Sequence, residues 1–174
     1  MRFVPYDREA AVSYAHRWAY DRNPRFYDYE QIGGDCTNFA SQCLYAGTGI
    51  MNFTPTFGWY YRNANDKSPS WTGVEYLYNF LTEKTMRRGP FAVVTDIDLI
   101  QPGDLVQLEL DNDPEFDHTP IVVERGAVPT LENVLVAAHS QDADFRPLST
   151  YPIRSIRFLH ILGAWFLPPR PFSS

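Results

Sequence analysis

The chain has 174 residues, a length that suits one core and one domain spanning 1–174. Hydrophobic residues make up 44% and charged residues 21%, the balance of a soluble globular protein and not of a disordered one. The net charge of −6 comes with no basic stripe, which excludes nucleic acid as an expected partner, and no apolar run is long enough to span a bilayer.

Asp7 is placed to cap an amphipathic helix that carries Ala11, Tyr14, Ala15, Trp18 and Ala19 on one stripe and ends near Asn23-Pro24. Gly33-Gly34-Asp35 then punctuates the chain. Cys36, Phe39, Ala40, Cys43 and Leu44 repeat the same spacing in a second helix, with Gly47 just past its last turn. No period holds from 48 to 69, although Phe53, Phe57, Trp59, Tyr60 and Tyr61 fall there. A loop of that length either walls a cleft or covers the core. Ser70 caps a third helix with Trp71, Val74, Leu77, Tyr78 and Leu81 facing inward.

The second half is rich in Val, Ile and Leu, in runs at 91–94, 105–110, 120–124, 134–138 and 156–162. Between two of them, Asp111, Asp113, Glu115 and Asp117 suit a solvated loop, and Pro168, Pro169, Arg170 and Pro171 continue neither a helix nor a strand. Helices first and strands after predict an α+β domain with a C-terminal antiparallel sheet. The start contains no secretory signal, so the chain as given reads as cytoplasmic; removal of a leader from a secreted, wall-associated protein would leave the same reading.

Cys36 and Cys43 are seven residues apart, which on a helix separates their Cα atoms by about 10 Å and rules out a mutual disulfide. Cys43 sits mid-helix and is expected to pack. Cys36 falls in the first turn, where unpaired N–H groups and the helix macrodipole favour a thiolate, and its own N–H could hold an oxyanion. Asp35 opposes that thiolate unless it spends its charge as the N-cap.

Of the four histidines, His16 is expected to be solvated and His160 to be structural. His118 opens one strand-like run and His139 closes another. Folding those runs as a hairpin about Val128 and Pro129 sets Val122 opposite Leu135, and His118 opposite His139 on the same face. His118 is then the general base for Cys36, oriented by His139 or by Asp142. A register slip of one residue would send the two rings to opposite faces. Cys36, His118, His139 and Asp142 match no metal-ligand spacing, so no metal and no cofactor is expected.

The block Gly33-Gly34-Asp35-Cys36-Thr37-Asn38-Phe39-Ala40-Ser41-Gln42-Cys43-Leu44 closely resembles the signature of the putative amidase domain family. Trp18-Ala19, Asn23-Pro24, Ser70-Trp71 and His139-Ser140-Gln141-Asp142 resemble it too, while Pro102-Gly103-Asp104-Leu105-Val106 followed by His118 is similar to NlpC-type and CHAP peptidases. The resemblance implies a papain-like fold, amide or peptide hydrolysis, and a peptide or peptidoglycan-like substrate. On this reading Cys36 attacks an amide carbonyl, His118 takes its proton, and Tyr29, Gln31, Asp35 and Trp59 line the oxyanion and substrate region. The rival readings are a catalytically silent peptide- or glycan-binding module and an acyltransferase using the same pair. The oligomeric state is not written in the sequence.

Overall fold

The computed structural model describes residues 1–110 and 115–168, so Asp111, Asp113, Pro169, Arg170 and Pro171 lie outside the described residues. Strand β1 (Arg2–Val4) is followed by helices α1 (Arg8–Trp18) and α2 (Cys36–Thr48). The short strands β2 (Tyr61–Asn63) and β3 (Asp66–Lys67) then lead into helices α3 (Pro69–Thr72) and α4 (Val74–Thr82). The remaining strands are β4 (Gly89–Thr95), β5 (Leu105–Leu110), β6 (Phe116–His118), β7 (Ile121–Glu124), β8 (Leu135–Ala138), β9 (Ala143–Pro147) and β10 (Ile153–Phe166).

Among the described residues every α-helix precedes β4, so the fold is α+β in the expected order, built on one curled antiparallel sheet. The sheet runs β1-β10-β5-β7-β8-β9, with β4 also on β10 and β6 also on β5. Strand β10 is the spine. Its first half pairs with β5, and its second half lies between β1 and β4. The register shifts between Ile161 and Gly163. Gly163 has φ 151°, and a Cβ there would lie 2.5 Å from the Phe3 ring, so only glycine lets β1 approach.

Successive residues of the central strands feed two cores. Leu105, Ile121, Val123 and Ala137 join Phe39, Leu44, Trp71 and Leu81 beneath the helices. Val106, Leu108, Val122 and Val136 face the other way, onto Ile100, Leu148, Tyr151 and Phe158. Such alternation sends neighbours to opposite faces, and each large apolar side chain so buried contributes roughly 1.5–3 kcal/mol. Helix α2 is buried along nearly its whole length.

Several boundaries differ from expectation. Asp7 does cap α1, accepting from Ala10 N–H at 3.0 Å, but the helix ends at Trp18. Helix α2 runs past Gly47 and stops at Gly49, whose φ of 67° provides the left-handed cap. Gly47 is needed for packing instead, since a Cβ there would meet the Tyr6 ring at 2.3 Å. The third helix is two, broken at Gly73, and Ser68 rather than Ser70 precedes the first of them. Strands β1 and β6, three residues each, were too short to show a period, and β9, Ala143–Pro147, carries no Val, Ile or Leu to mark it.

Candidate catalytic site

Cys36 opens α2 with 8% of its surface exposed. Its thiol donates toward Asp117 O at 3.5 Å and lies 3.7 Å from Thr37 Oγ1, while Thr37 Oγ1 and Thr119 Oγ1 are 3.1 Å apart. The residues on both sides of His118 thus touch the first turn of α2. Burial pushes the Cys36 thiol up, and hydrogen bonds from Thr37 and Thr119 pull it down less strongly. This corrects the expected thiolate: taking a charged sulfur out of water outweighs the helix terminus.

His118 ends β6, opposite Leu108 of β5, and Thr119-Pro120 separates it from β7. Burial, and secondarily the positive charge of Arg146, push its imidazole down to about 4. Near neutral pH both the imidazole and the thiol therefore rest uncharged. The His118 ring stands 5.4 Å from the Tyr151 ring. Its Nε2 is buried without a hydrogen-bond partner, and so is the Tyr151 hydroxyl.

The expected hairpin register is off by one. Val122 pairs with Val136 and Ile121 with Ala137, and the register shifts again before Glu124. One residue of slip reverses the facing of every side chain. His139 accordingly lies under α2, stacked on Phe39 at 4.0 Å, whereas His118 lies beside Tyr151 of the other core. Both His139 nitrogens are engaged away from His118: Nδ1 lies 2.5 Å from Asp35 Oδ2 and Nε2 lies 2.7 Å from Trp18 O. Asp142, the alternative orienter, is held by both terminal nitrogens of Arg22 at 2.9 and 3.0 Å.

His139 braces the residue before the nucleophile. Asp35 is fully buried, and its Oδ1 accepts from Tyr29 N–H and Asn38 Nδ2 at 2.8 Å each. Arg22 Nε approaches its Oδ2 at 3.7 Å. Asp35 N–H donates to Ser140 Oγ at 3.0 Å, and Ser140 and Gln141 adopt φ values of 62° and 60° in the β8–β9 turn that aims this hydroxyl. Asp35 occupies the N-cap position yet makes no side-chain cap bond, a second correction. Its carboxylate charge goes to Tyr29, Asn38, His139 and Arg22, and no side chain of the N-cap covers the first N–H groups of α2. The Thr37 N–H turns instead to the Cys36 sulfur, one of the hydrogen bonds that favour its charged form.

Of the other predicted residues, Tyr29 is buried and donates its hydroxyl to Ala64 O at 3.0 Å. Trp59 is completely buried, donates Nε1–H to Ser41 Oγ at 3.1 Å and packs on Trp71 at 4.7 Å, so it belongs to the core and not to a cleft wall. Gln31 is exposed in the turn before Gly33. Cys36 and Cys43 are free thiols. His160 pairs with Asp104 at 2.8 Å, as a structural histidine should, and His16 is only partly exposed, paired with Asp144 at 2.8 Å and stacked on Phe145. Among the described residues no group of three His, Cys, Asp or Glu side chains is arranged to hold a metal ion.

The sequence profile of the putative amidase domain matches residues 5–162, a stretch that contains Cys36, His118, Tyr151 and the Asp35–His139 pair. The chain belongs to the putative amidase domain family. The name of that family points, at the coarsest level, to hydrolysis of amide bonds. The chain is also 35% identical to the uncharacterized protein YhbB of Bacillus subtilis (strain 168) over 150 residues, 83% of the chain and 45% of that protein. The chain thus spans less than half the length of that relative. No solved structure matches.

The sequence did not mark Ser140 as a clamp on Asp35, although it lies inside the His139-Ser140-Gln141-Asp142 block. It also missed Arg22, Arg146 and Tyr151. Tyr151 sits alone between turn residues, and no periodicity could have singled it out.

Proposed function

We propose that this chain is a cysteine amidase or peptidase of papain-like, NlpC-type architecture, forming one domain and cleaving amide bonds in peptides of the bacterial cell wall. One observation carries the reading: the Cys36 thiol lies at the uncapped start of α2, against Asp117 and Thr119, the two neighbours of His118. The membership in an amidase family supports it.

In the proposed reaction His118 removes the thiol proton as sulfur attacks the amide carbonyl, and the Cys36 N–H stabilises the oxyanion. The C–N bond then breaks, and the His118 imidazolium returns the proton to the departing amine. Water, deprotonated by His118, attacks the thioester, releasing the acid and restoring the thiol. Because burial disfavours both ions, proton transfer accompanies attack and no ion pair needs to exist beforehand.

The test is product analysis on muropeptides and on a general peptide library, with the wild-type chain and Cys36→Ala. New amino and carboxyl termini from the wild type alone support the proposal, and equal cleavage by Cys36→Ala refutes it. Added amines that capture the acyl group would identify a transferase.

A further inference from the structure

A base that takes the thiol proton on one ring nitrogen must have its other nitrogen held, or the ring rotates and the tautomer is lost. Neither residue proposed for that task from the sequence is available, since His139 is committed to Asp35 and Trp18, and Asp142 to Arg22. Around His118 stand the neighbouring Asp117 of β6, whose carbonyl meets the Cys36 thiol, Arg146 of β9, and Tyr151.

We propose that Tyr151 is the positioning residue for the base, its phenolic oxygen accepting from His118 Nε2–H and so reserving Nδ1 for the Cys36 thiol. This rests on the cysteine-hydrolase reading above. Two buried polar atoms without partners are uncommon, and each costs free energy while it stays unpaired. Here two of them, Nε2 of His118 and the hydroxyl of Tyr151, belong to rings 5.4 Å apart, inclined at 52°. A modest torsion of the imidazole, or one shared water, joins them.

The position is well supported. Tyr151 follows a 3-10 turn and its N–H donates to Leu148 O at 3.1 Å. Its ring packs in the second core beneath the Arg146 guanidinium, 3.6 Å from the ring centroid. Arg146 is in turn anchored on Thr150, by Nε to Oγ1 at 2.7 Å and Nη2 to the carbonyl at 3.1 Å. A phenol fixed in this way can hold an imidazole without moving itself.

The test needs no substrate. Site-resolved alkylation of Cys36 by iodoacetamide is followed by mass spectrometry from pH 5 to 11 in wild type, His118→Ala, Tyr151→Phe and Tyr151→Leu. Tyr151→Phe keeps the ring in the second core and removes only its hydroxyl, which faces the Arg146 guanidinium and makes no regular hydrogen bond. The neutral-pH rate of Tyr151→Phe is expected to fall roughly 3- to 10-fold, the worth of one hydrogen bond. Above the ionisation of the thiol itself, its rate should equal that of the wild type, because hydroxide then replaces the base. Tyr151→Leu should match Tyr151→Phe at neutral pH.

A Tyr151→Phe profile that overlays the wild type, while His118→Ala is slow at neutral pH, overturns the role of Tyr151 and leaves the hydrolase reading standing. A loss equal at neutral and alkaline pH also overturns it, since that is what a merely structural residue gives. If His118→Ala itself alkylates like the wild type, the hydrolase reading falls and the inference with it.

Discussion

The buried imidazole of His118 makes acid stability measurable at one residue. In the unfolded chain it titrates near 6.5, and in the fold near 4. As pH falls, the unfolded chain therefore takes up the proton first. The contribution of His118 is fully present above about pH 6.5, is lost between there and about 4, and is level below. At about 1.4 kcal/mol for each tenfold in proton affinity, the gap is worth on the order of 3 kcal/mol, most of it between pH 7.5 and 4.5. Urea denaturation of the wild type and of His118→Asn at those two pH values isolates it. Groups common to both proteins, including the other three histidines, cancel in the double difference. The wild type should lose roughly 2–3 kcal/mol more than the variant on acidification. Equal losses, within about 0.5 kcal/mol, would mean that His118 is solvated and that the site is open.

The brace on Asp35 predicts a large effect from a residue outside the reacting pair. His139→Ala leaves the fully buried Asp35 Oδ2 facing only Arg22 at 3.7 Å, so stability should fall by about 3–5 kcal/mol. A thermal midpoint lowered by less than about 3 °C would contradict the brace. Two glycines of α2 should separate cleanly in the same assay. Gly49→Ala meets nothing within 4 Å and costs about 1 kcal/mol of left-handed backbone strain, whereas Gly47→Ala drives Cβ into Tyr6 and costs about 2–3 kcal/mol.

How much could be read in advance follows from how local each cause is. The stripes of α1 and α2 are written in consecutive turns, and helix order, strand-rich second half and both thiols were legible from them. The junction at Gly73 was not, because Val74, Leu77 and Leu81 continue an apolar pattern across a break in the backbone. The hairpin between β7 and β8 failed by one residue. Apolar residues on both faces of Ile121, Val122 and Val123 leave the register unmarked, since either facing buries them. That single slip separated His118 from His139. Asp35 was correctly singled out as electrically significant, but its partners come from Tyr29, Asn38, Arg22 and His139, and only the last two contacts depend on folding across more than a few residues. Trp59 looked like a ligand contact because an aromatic in a long aperiodic segment has no visible partner until the Asn52–Trp59 bridge and the β2–β3 hairpin fold it onto Trp71.

The most direct measurement is capture of the acyl group on sulfur. The chain is mixed with a reactive peptide ester, quenched in acid within the first turnovers, digested and mapped by mass spectrometry. The account predicts an acyl mass on the peptide carrying Cys36, lost on treatment with hydroxylamine and missing from Cys36→Ala. Turnover of the same ester with no adduct at Cys36, or with Cys36→Ala as fast as the wild type, would contradict it.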